Sequence, residues 1–571
     1  MKFINIFLFI FIVLISSCSV ETENENSNNL DRRPNFLIIV ADDLGYTDIS
    51  PFGGEINTPN LEDLAANSIK LTNFHVAPTC APTRSMLLSG TDNHIAGVGS
   101  MFNSNMYTGI ENKIGYENHL HERVLPISKL LLDHGYHTYM SGKWHLGTQN
   151  NGSLPSDRGF EKSFVLVSGA GDHHELIAAQ YAENGIPLED DITEGFFSTD
   201  YHTNKIIDYI DSNYQDGKPF FAYAAYTAPH WPLQAPNDSI DKYSGRYNEG
   251  YDVLRNERMV KAFELGVIPR IVGDDDFYQI GRKWNSLSME EKNRSARKME
   301  IYAAMVDNLD QNIGRLVDYL DNINELDNTI IIFMSDNGAE GDDVELNPRH
   351  RRMRITSNPL NNNSFENYGR KNSFISYGIS WAQAASAPFS RAKGHMNEGG
   401  TRAPAFILHG SGNTEPSIDN QFLRVMDIAP TILSLADIEV PKGKYNGKNI
   451  AQIEGRSFAS ILNNDFTPIY SDKEAISSEL HGHRAVRMGK YKLLYEKQPG
   501  NSYWGFPIPE SWNKWQLFDL EKDPGETNDI SSQYPEIFNS LIDEWDNYAS
   551  THAVIRNTTQ IDAERLRQPP Q

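Results

Sequence analysis

Two stretches of the chain run through consecutive apolar residues without alternation and then turn sharply polar. The first is Phe36-Leu37-Ile38-Ile39-Val40-Ala41, followed by Asp42-Asp43-Leu44-Gly45. The second is Thr329-Ile330-Ile331-Ile332-Phe333-Met334, followed by Ser335-Asp336-Asn337-Gly338. An unbroken apolar run predicts a strand buried on both faces, as in a parallel sheet covered by helices, whereas a half-exposed strand would alternate. The polar residues then emerge at the carboxyl ends of the strands, the edge at which open α/β sheets bind ligands. After about residue 465 the pattern changes. His483 to Tyr495 predicts two short strands turning at Gly489-Lys490, Trp515 to Leu520 a further strand, and Ile537 to Tyr548 an amphipathic closing helix. The expected fold class is therefore α/β: a large, mainly parallel sheet sandwiched by helices over residues 34–465, a small antiparallel C-terminal α+β subdomain over 466–557, and a flexible tail over 558–571.

At the N-terminus Lys2 precedes ten apolar residues, Ile6 to Ile15, which end in Ser16-Ser17-Cys18. That length fits a signal-peptide core and falls short of the roughly 20 residues that cross a bilayer as a helix. The small residues before the cysteine resemble a bacterial lipobox, and a plain secretory signal with an incidental cysteine is the alternative. The expectation is a lipoprotein signal peptide over 1–17, a lipidated Cys18, and a polar tether over 18–33. The protein would be exported and anchored in the bacterial cell envelope, touching membrane only through its lipid.

Composition narrows the function. Of 571 residues, 39% are hydrophobic and 22% charged, which excludes a disordered chain. Against 51 Lys and Arg stand 76 Asp and Glu, a net charge of −25, so nucleic acid is not an expected partner. An anionic substrate would need cationic side chains gathered locally. The two cysteines, Cys18 and Cys80, have separate explanations and are not read as a disulfide.

If the ends of the two apolar strands meet, Asp42, Asp43, Asp336 and Asn337 make a hard, all-oxygen site suited to Ca²⁺ or Mg²⁺ and less to Zn²⁺. Taken singly, each segment reads more readily as a turn after a strand. The stretch Pro78-Thr79-Cys80-Ala81-Pro82-Thr83-Arg84 adds weight. Pro82 predicts a helix beginning there, which places Cys80 at a positively polarised helix N-terminus with Arg84 one turn on. From the residues alone Cys80 is either a low-pKa nucleophile or an inert loop thiol.

Cys80-Ala81-Pro82-Thr83-Arg84, extended by Ser85-Met86-Leu87-Leu88-Ser89-Gly90, resembles the Cys-x-Pro-x-Arg signature of the type I sulfatases of the alkaline phosphatase superfamily. The resemblance continues in order along the chain after residue 34. It takes in Ala41-Asp42-Asp43-Leu44-Gly45, Gly142-Lys143-Trp144-His145-Leu146-Gly147, Thr227-Ala228-Pro229-His230-Trp231-Pro232, Ser335-Asp336-Asn337-Gly338, Lys393 with Glu398-Gly399-Gly400-Thr401-Arg402, and Leu517-Phe518-Asp519-Leu520 with Asp523-Pro524. It implies an alkaline phosphatase-like fold and a Cys80 oxidised to formylglycine (3-oxoalanine) by a maturation enzyme. It also implies a Ca²⁺ or Mg²⁺ ion held by Asp42, Asp43, residue 80, Asp336 and Asn337, and a catalytic set of Cys80, Arg84, Lys143, His145, His230 and Lys393. In that scheme a hydroxyl of hydrated residue 80 attacks sulfur, His230 assisted by Lys393 protonates the leaving oxygen, and His145 takes the proton of the remaining hydroxyl as sulfate departs.

The substrate so implied is a sulfated small molecule or glycan, either an aryl sulfate or a sulfated carbohydrate. The alternatives are a phosphonate monoester or phosphodiester hydrolase of the same superfamily, and a non-catalytic glycan-binding lipoprotein. Within the long stretch 338–392, Asn372-Ser373-Phe374 through Trp381-Ala382-Gln383-Ala384 resembles the insertion of bacterial arylsulfatases of the Pseudomonas type, as do Gly90-Thr91-Asp92-Asn93-His94 and Gly115-Tyr116-Glu117-Asn118-His119. The basic run Arg349-His350-Arg351-Arg352-Met353-Arg354 reads either as a substrate-facing cluster or as a solvated turn.

Overall fold

The computed structural model describes residues 33–101, 113–192, 194–273, 277, 279–347, 360–410, 415–496 and 514–555. The signal peptide, Cys18, the tether up to residue 32, the basic run 349–354 and the tail 558–571 lie outside the described residues.

The two apolar runs are strands, and they are neighbours. In chain order the main sheet holds β1 (Asn35–Ala41), β2 (His137–Lys143), β3 (Lys162–Leu166), β4 (Phe220–Ala225), β5 (Thr329–Ser335) and β6 (Ala405–His409). In space they lie in the order β6-β5-β1-β4-β2-β3 within a ten-stranded sheet. The strands from β5 across to β3 are mutually parallel, and β6 runs antiparallel to β5. Short segments extend both edges: Ile69–Leu71 and Ser417–Asp419 beyond β6, Tyr181–Glu183 and Ile186–Pro187 beyond β3.

Every residue of β1, β2, β4 and β5 is buried, as the absence of alternation requires. Leu37, Ile39 and Ala41 point into one core, which the long helix Met289–Asn322 covers with Ile301, Met305 and Leu309. Phe36, Ile38 and Val40 point into the other, which receives Met86, Leu87 and Leu88 from α1 (Cys80–Ser89). Burying each large aliphatic side chain contributes about 2 kcal/mol, and slipping β1 by one residue would exchange the two faces. The register is thus fixed by packing on both sides. It pairs Ala41 with Ser335, so the residues that follow, Asp42 and Asp336, leave the sheet side by side.

The helix carrying Cys80 starts two residues earlier than Pro82 predicts, with Thr79 as its extended N-cap. The first-turn N–H groups of a helix have no partner inside it, so proline is tolerated at the third position as well as at the first.

The C-terminal sheet is antiparallel, with β7 (Ala475–Leu480), β8 (His483–Met488), β9 (Tyr491–Tyr495) and β10 (Trp515–Asp519) in that order. The hairpin at Gly489-Lys490 is as expected, whereas β7 carries no apolar alternation and adds a strand that the pattern does not reveal. The closing helix α2 (Pro535–Thr551) lays Phe538, Leu541, Ile542 and Trp545 on Val486, Leu493 and Leu517.

Buried charges join this sheet to the main body. Lys492 Nζ lies 2.8 Å from both Glu398 Oε1 and Glu526 Oε1. His94 bridges Asp92 at 3.1 Å and Glu479 at 2.8 Å, and although burial opposes its charge, the two carboxylates raise its pKa to about 9. Among the described residues no helix is long and apolar enough to cross a membrane.

Removing one partner of a buried ion pair strands the other. Lys492→Ala, which leaves Glu398 and Glu526 facing each other, is expected to lower stability by about 3–5 kcal/mol in chemical denaturation. A loss below about 1 kcal/mol would mean that the seam does not depend on this lysine.

Candidate active site

The residues singled out in the sequence come from six segments and converge at the carboxyl edge of the central strands. Asp42 and Asp43 follow β1, Asp336 and Asn337 follow β5, and Lys143 ends β2. Cys80 and Arg84 lie in the opening turns of α1, His230 in the loop after β4, and Lys393 in the loop before β6. All nine side chains are buried. This edge is where the chain order of the parallel strands reverses about β1, the position at which such sheets open a ligand crevice.

Local backbone geometry sets up the approach. Gly142 adopts φ +117, and a Cβ there would fall 1.8 Å from the carbonyl oxygen of Ala225. Only glycine lets β2 lie that close to β4 and deliver Lys143 to the centre. Asp43 and His145 take left-handed φ values of 70 and 55, strained conformations of the kind found at functional sites.

Charges alternate through the centre. Asp42 Oδ2 accepts from Lys143 Nζ at 2.6 Å. Asp43 accepts from Lys393 Nζ at 2.6 and 2.9 Å, and from Asn337 Nδ2 at 2.7 Å. Arg84 donates from Nε to Asp336 Oδ2 at 2.9 Å and from Nη1 to the Lys143 carbonyl at 2.8 Å, so its fork ties β5 to β2. Cys80 Sγ sits over the carboxylates, 3.3 Å from Asp42 Oδ1 and 3.8 Å from Asp43 Oδ1. His230 Nε2 lies 3.5 Å from Asp43 Oδ2, and its Nδ1–H donates to the Trp231 carbonyl at 2.6 Å.

These surroundings bear on the two readings left open for Cys80. Against the low-pKa reading, burial and the carboxylates of Asp336 and Asp42 push the thiol well above its ordinary value, opposing the pull of Lys143 and Lys393. An unmodified thiol here stays protonated and is a weak nucleophile. Burial also holds both histidines neutral. His230 is driven well below the usual imidazole range by burial, Lys393 and Lys143, and His145 by burial, Lys143, Arg84 and Lys393. His145 packs flat over Gly169, where a Cβ would lie 2.6 Å from its ring, and its Nδ1 has no hydrogen-bond partner among the described residues.

The acidic group fits a hard divalent cation. Burial, with Asp336 and Asp43 close by, raises the Asp42 carboxyl to about 7 even though Lys143 and Arg84 oppose the shift. The buried Asn337 Oδ1 finds no hydrogen-bond partner among the described residues. Ligand atoms of Asp42, Asp43, Cys80 and His230 lie within 4.8 Å of one another. An ion among these oxygens would relieve the carboxylate repulsion and satisfy the orphaned amide oxygen.

The sequence reading missed Glu340. Its Oε2 lies 3.1 Å from Lys393 Nζ and accepts from Trp231 Nε1 at 3.3 Å, linking the lysine to the loop that carries His230. Its position two residues past Gly338, in the segment that follows β5, was the available signal.

The sulfatase family profile matches residues 34–438, and a profile described as N-sulphoglucosamine sulphohydrolase, C-terminal, matches residues 391–550. An uncharacterized sulfatase of Schizosaccharomyces pombe is 43% identical over 555 residues, which cover 94% of this chain and 97% of that one. An arylsulfatase of Klebsiella aerogenes is 35% identical over 447 residues, 75% of this chain and 92% of its own. Among solved structures, that of Ps i-CgsB superposes with a TM-score of 0.61 at 23% identity, covering 94% of this chain and 98% of that one, and so shares the fold. Since the profile spans most of the chain and both relatives match more than a third of the residues aligned with them, the chain belongs to the sulfatase family, the sulfuric ester hydrolases of the alkaline phosphatase superfamily.

Proposed function

We propose that this sulfatase is an exported, lipid-anchored enzyme that hydrolyses sulfate esters of phenols or sugars through a formylglycine formed from Cys80. The observation that carries the reading is the position of Cys80 Sγ, 3.3 Å from Asp42, in one buried group with His230 and within the charge field of Arg84, Lys143 and Lys393. Formylglycine hydrate supplies one hydroxyl to attack sulfur and a second whose proton, once removed, lets sulfate leave. Asp42, Asp43, Asp336, Asn337 and the residue-80 side chain would hold a Ca²⁺ or Mg²⁺ ion, which would supply fixed positive charge to the sulfate ester.

The remaining work belongs to the chain. Lys143 and Lys393 flank the place of the sulfate with ammonium groups already fixed by Asp42 and Asp43, so little reorganisation is needed as charge develops. Arg84, committed to Asp336, holds that carboxylate in register. His145 is neutral and suited to accept the proton of the second hydroxyl. His230 keeps Nδ1–H on the Trp231 carbonyl, which leaves Nε2 to protonate the departing oxygen once the anionic ester has raised its proton affinity.

Two lines support the substrate class. The Klebsiella relative is an arylsulfatase. A Ps i-CgsB structure, 24% identical with a TM-score of 0.61, contains k-i-k-neocarrahexaose, and another fold neighbour, 21% identical with a TM-score of 0.57, contains its substrate D-glucosamine-2-N,6-O-disulfate. Export rests on the ten-residue apolar core and Ser16-Ser17-Cys18.

In protein secreted with a formylglycine-generating enzyme, mass spectrometry is expected to find an aldehyde at residue 80 and a lipid-modified cysteine at 18. Cys80→Ala should lower kcat/KM for a sulfate ester by at least about 10³-fold, with a stability change within about 1 kcal/mol. An unmodified thiol in fully active protein, an active Cys80→Ala, or faster turnover of an aryl phosphonate than of aryl and sugar sulfates would refute the reading. A free Cys18 would refute the anchor alone.

The cation and the Asp42 proton compete. With its folded pKa at about 7, above the ordinary 3.8, Asp42 binds its proton more tightly when folded, so cation-free protein loses stability as pH rises through that window. Chelated protein is expected to be inactive and to melt lower at pH 8 than at pH 5.5. Calcium should raise Tm most at pH 8, where Asp42 is ionised. Asp42→Asn should flatten this pH dependence. Full activity after exhaustive chelation, or a calcium shift independent of pH, would exclude the site.

The histidine roles separate by leaving group. Loss of His230 should slow alkyl or sugar sulfates most and activated aryl sulfates least, whereas loss of His145 should slow all alike. A steeper dependence on leaving-group pKa in His145→Ala than in His230→Ala would reverse the assignment.

A further inference from the structure

A second group of metal-ligating side chains stands apart from the acidic centre. His395, His483 and Glu496 are buried, and each offers a ligand atom within 4.8 Å of the other two. They come from three places: the loop that carries Lys393, the first residue of β8, and the residue that follows β9. The Glu496 carboxylate lies between the two rings, with Oε2 2.7 Å from His395 Nδ1 and Oε1 3.7 Å from His483 Nδ1. The ring centroids are 5.5 Å apart and the planes are inclined at 61°, so the imidazoles converge on the carboxylate and do not stack.

The donor set decides which ion suits it. Two imidazole nitrogens and one carboxylate oxygen, with a fourth position for water, form a tetrahedral zinc set, the opposite of the all-oxygen group at Asp42 and Asp336. Zinc bonds of about 2.1 Å put ligand atoms about 3.4 Å apart, so the 2.7 Å pair His395–Glu496 would have to open by about 0.7 Å and the 3.7 Å pair His483–Glu496 to close by about 0.3 Å. The buried guanidinium of Arg391 also acts on Glu496. An incoming cation must share that carboxylate, which shifts the burden of binding to the imidazoles and disfavours Ca²⁺.

We propose that His395, His483 and Glu496 bind one Zn²⁺, with water as its fourth ligand, and that the ion acts as a clasp between segments. It fastens the loop bearing Lys393 to the C-terminal sheet. That loop already reaches the acidic centre through backbone bonds from Lys393 N to the Ala339 carbonyl at 2.9 Å and from Gly394 N to the Pro78 carbonyl at 2.7 Å. The clasp would fix its far side.

The test uses the full chain with calcium in excess, so that the acidic centre is filled, after transition metals have been stripped and the protein dialysed against micromolar zinc chloride. Elemental analysis is expected to give one zinc per chain. That zinc should be retained in Asp336→Ala and bound at least about tenfold more weakly in His483→Ala and Glu496→Gln. X-ray absorption on the zinc-loaded unsubstituted protein should show imidazole scattering from two histidines, a readout that stands even if a variant fails to fold. Substoichiometric zinc, an all-oxygen first shell, or zinc content unchanged in a folded His483→Ala would overturn the proposal.

Discussion

Charge balance in a dry place governs this molecule. Three carboxylates, Asp42, Asp43 and Asp336, are buried at one sheet edge, and three cationic side chains, Arg84, Lys143 and Lys393, are buried with them. None of the six would survive burial alone, because an unpaired buried charge costs several kcal/mol. Each is therefore held by the others, and the rigidity that keeps the folded state tolerable is also what aims the cations at one spot. On the proposed function, sulfate binding and fold stability would be two readings of the same electrostatic requirement.

The fold was legible where burial is symmetrical. β1 and β5 are apolar on both faces, so their composition declares the parallel sheet, and the polar residues directly after them declare the ligand edge. Asymmetrical or short pieces were not. Ile69–Leu71 and Ser417–Asp419 are too brief to carry a period, and β7 buries two polar residues, Ser477 and Glu479, the second of them against His94. The resemblance to the sulfatases named the candidate residues but not their environment. Cys80 at a helix N-terminus implies a low thiol pKa only if water and cations dominate there, and burial with Asp336 reverses the sign. Glu340 was marked only by its place two residues past Gly338, whereas the group His395, His483 and Glu496 was invisible for another reason: its members are assembled by tertiary packing across distant segments, and no spacing along the chain encodes them.

The small C-terminal sheet is joined to the large one by more than apolar contact. Lys492 meets Glu398 and Glu526, while Glu479 meets His94, so the interface is stitched with ionic contacts that have directional demands. Apolar surfaces tolerate sliding; such contacts do not. Because Glu398 lies five residues after Lys393, a shift of the C-terminal sheet would be felt in the position of an active-site ammonium group.

All ten residues of the helix that opens with Cys80 are buried. A helix with every residue buried offers no hold to a macromolecular reagent, so the oxidation proposed for Cys80 would need this segment before it is packed. On that proposal folding would close the door behind the chemistry, and a chain that folded too fast would keep its thiol.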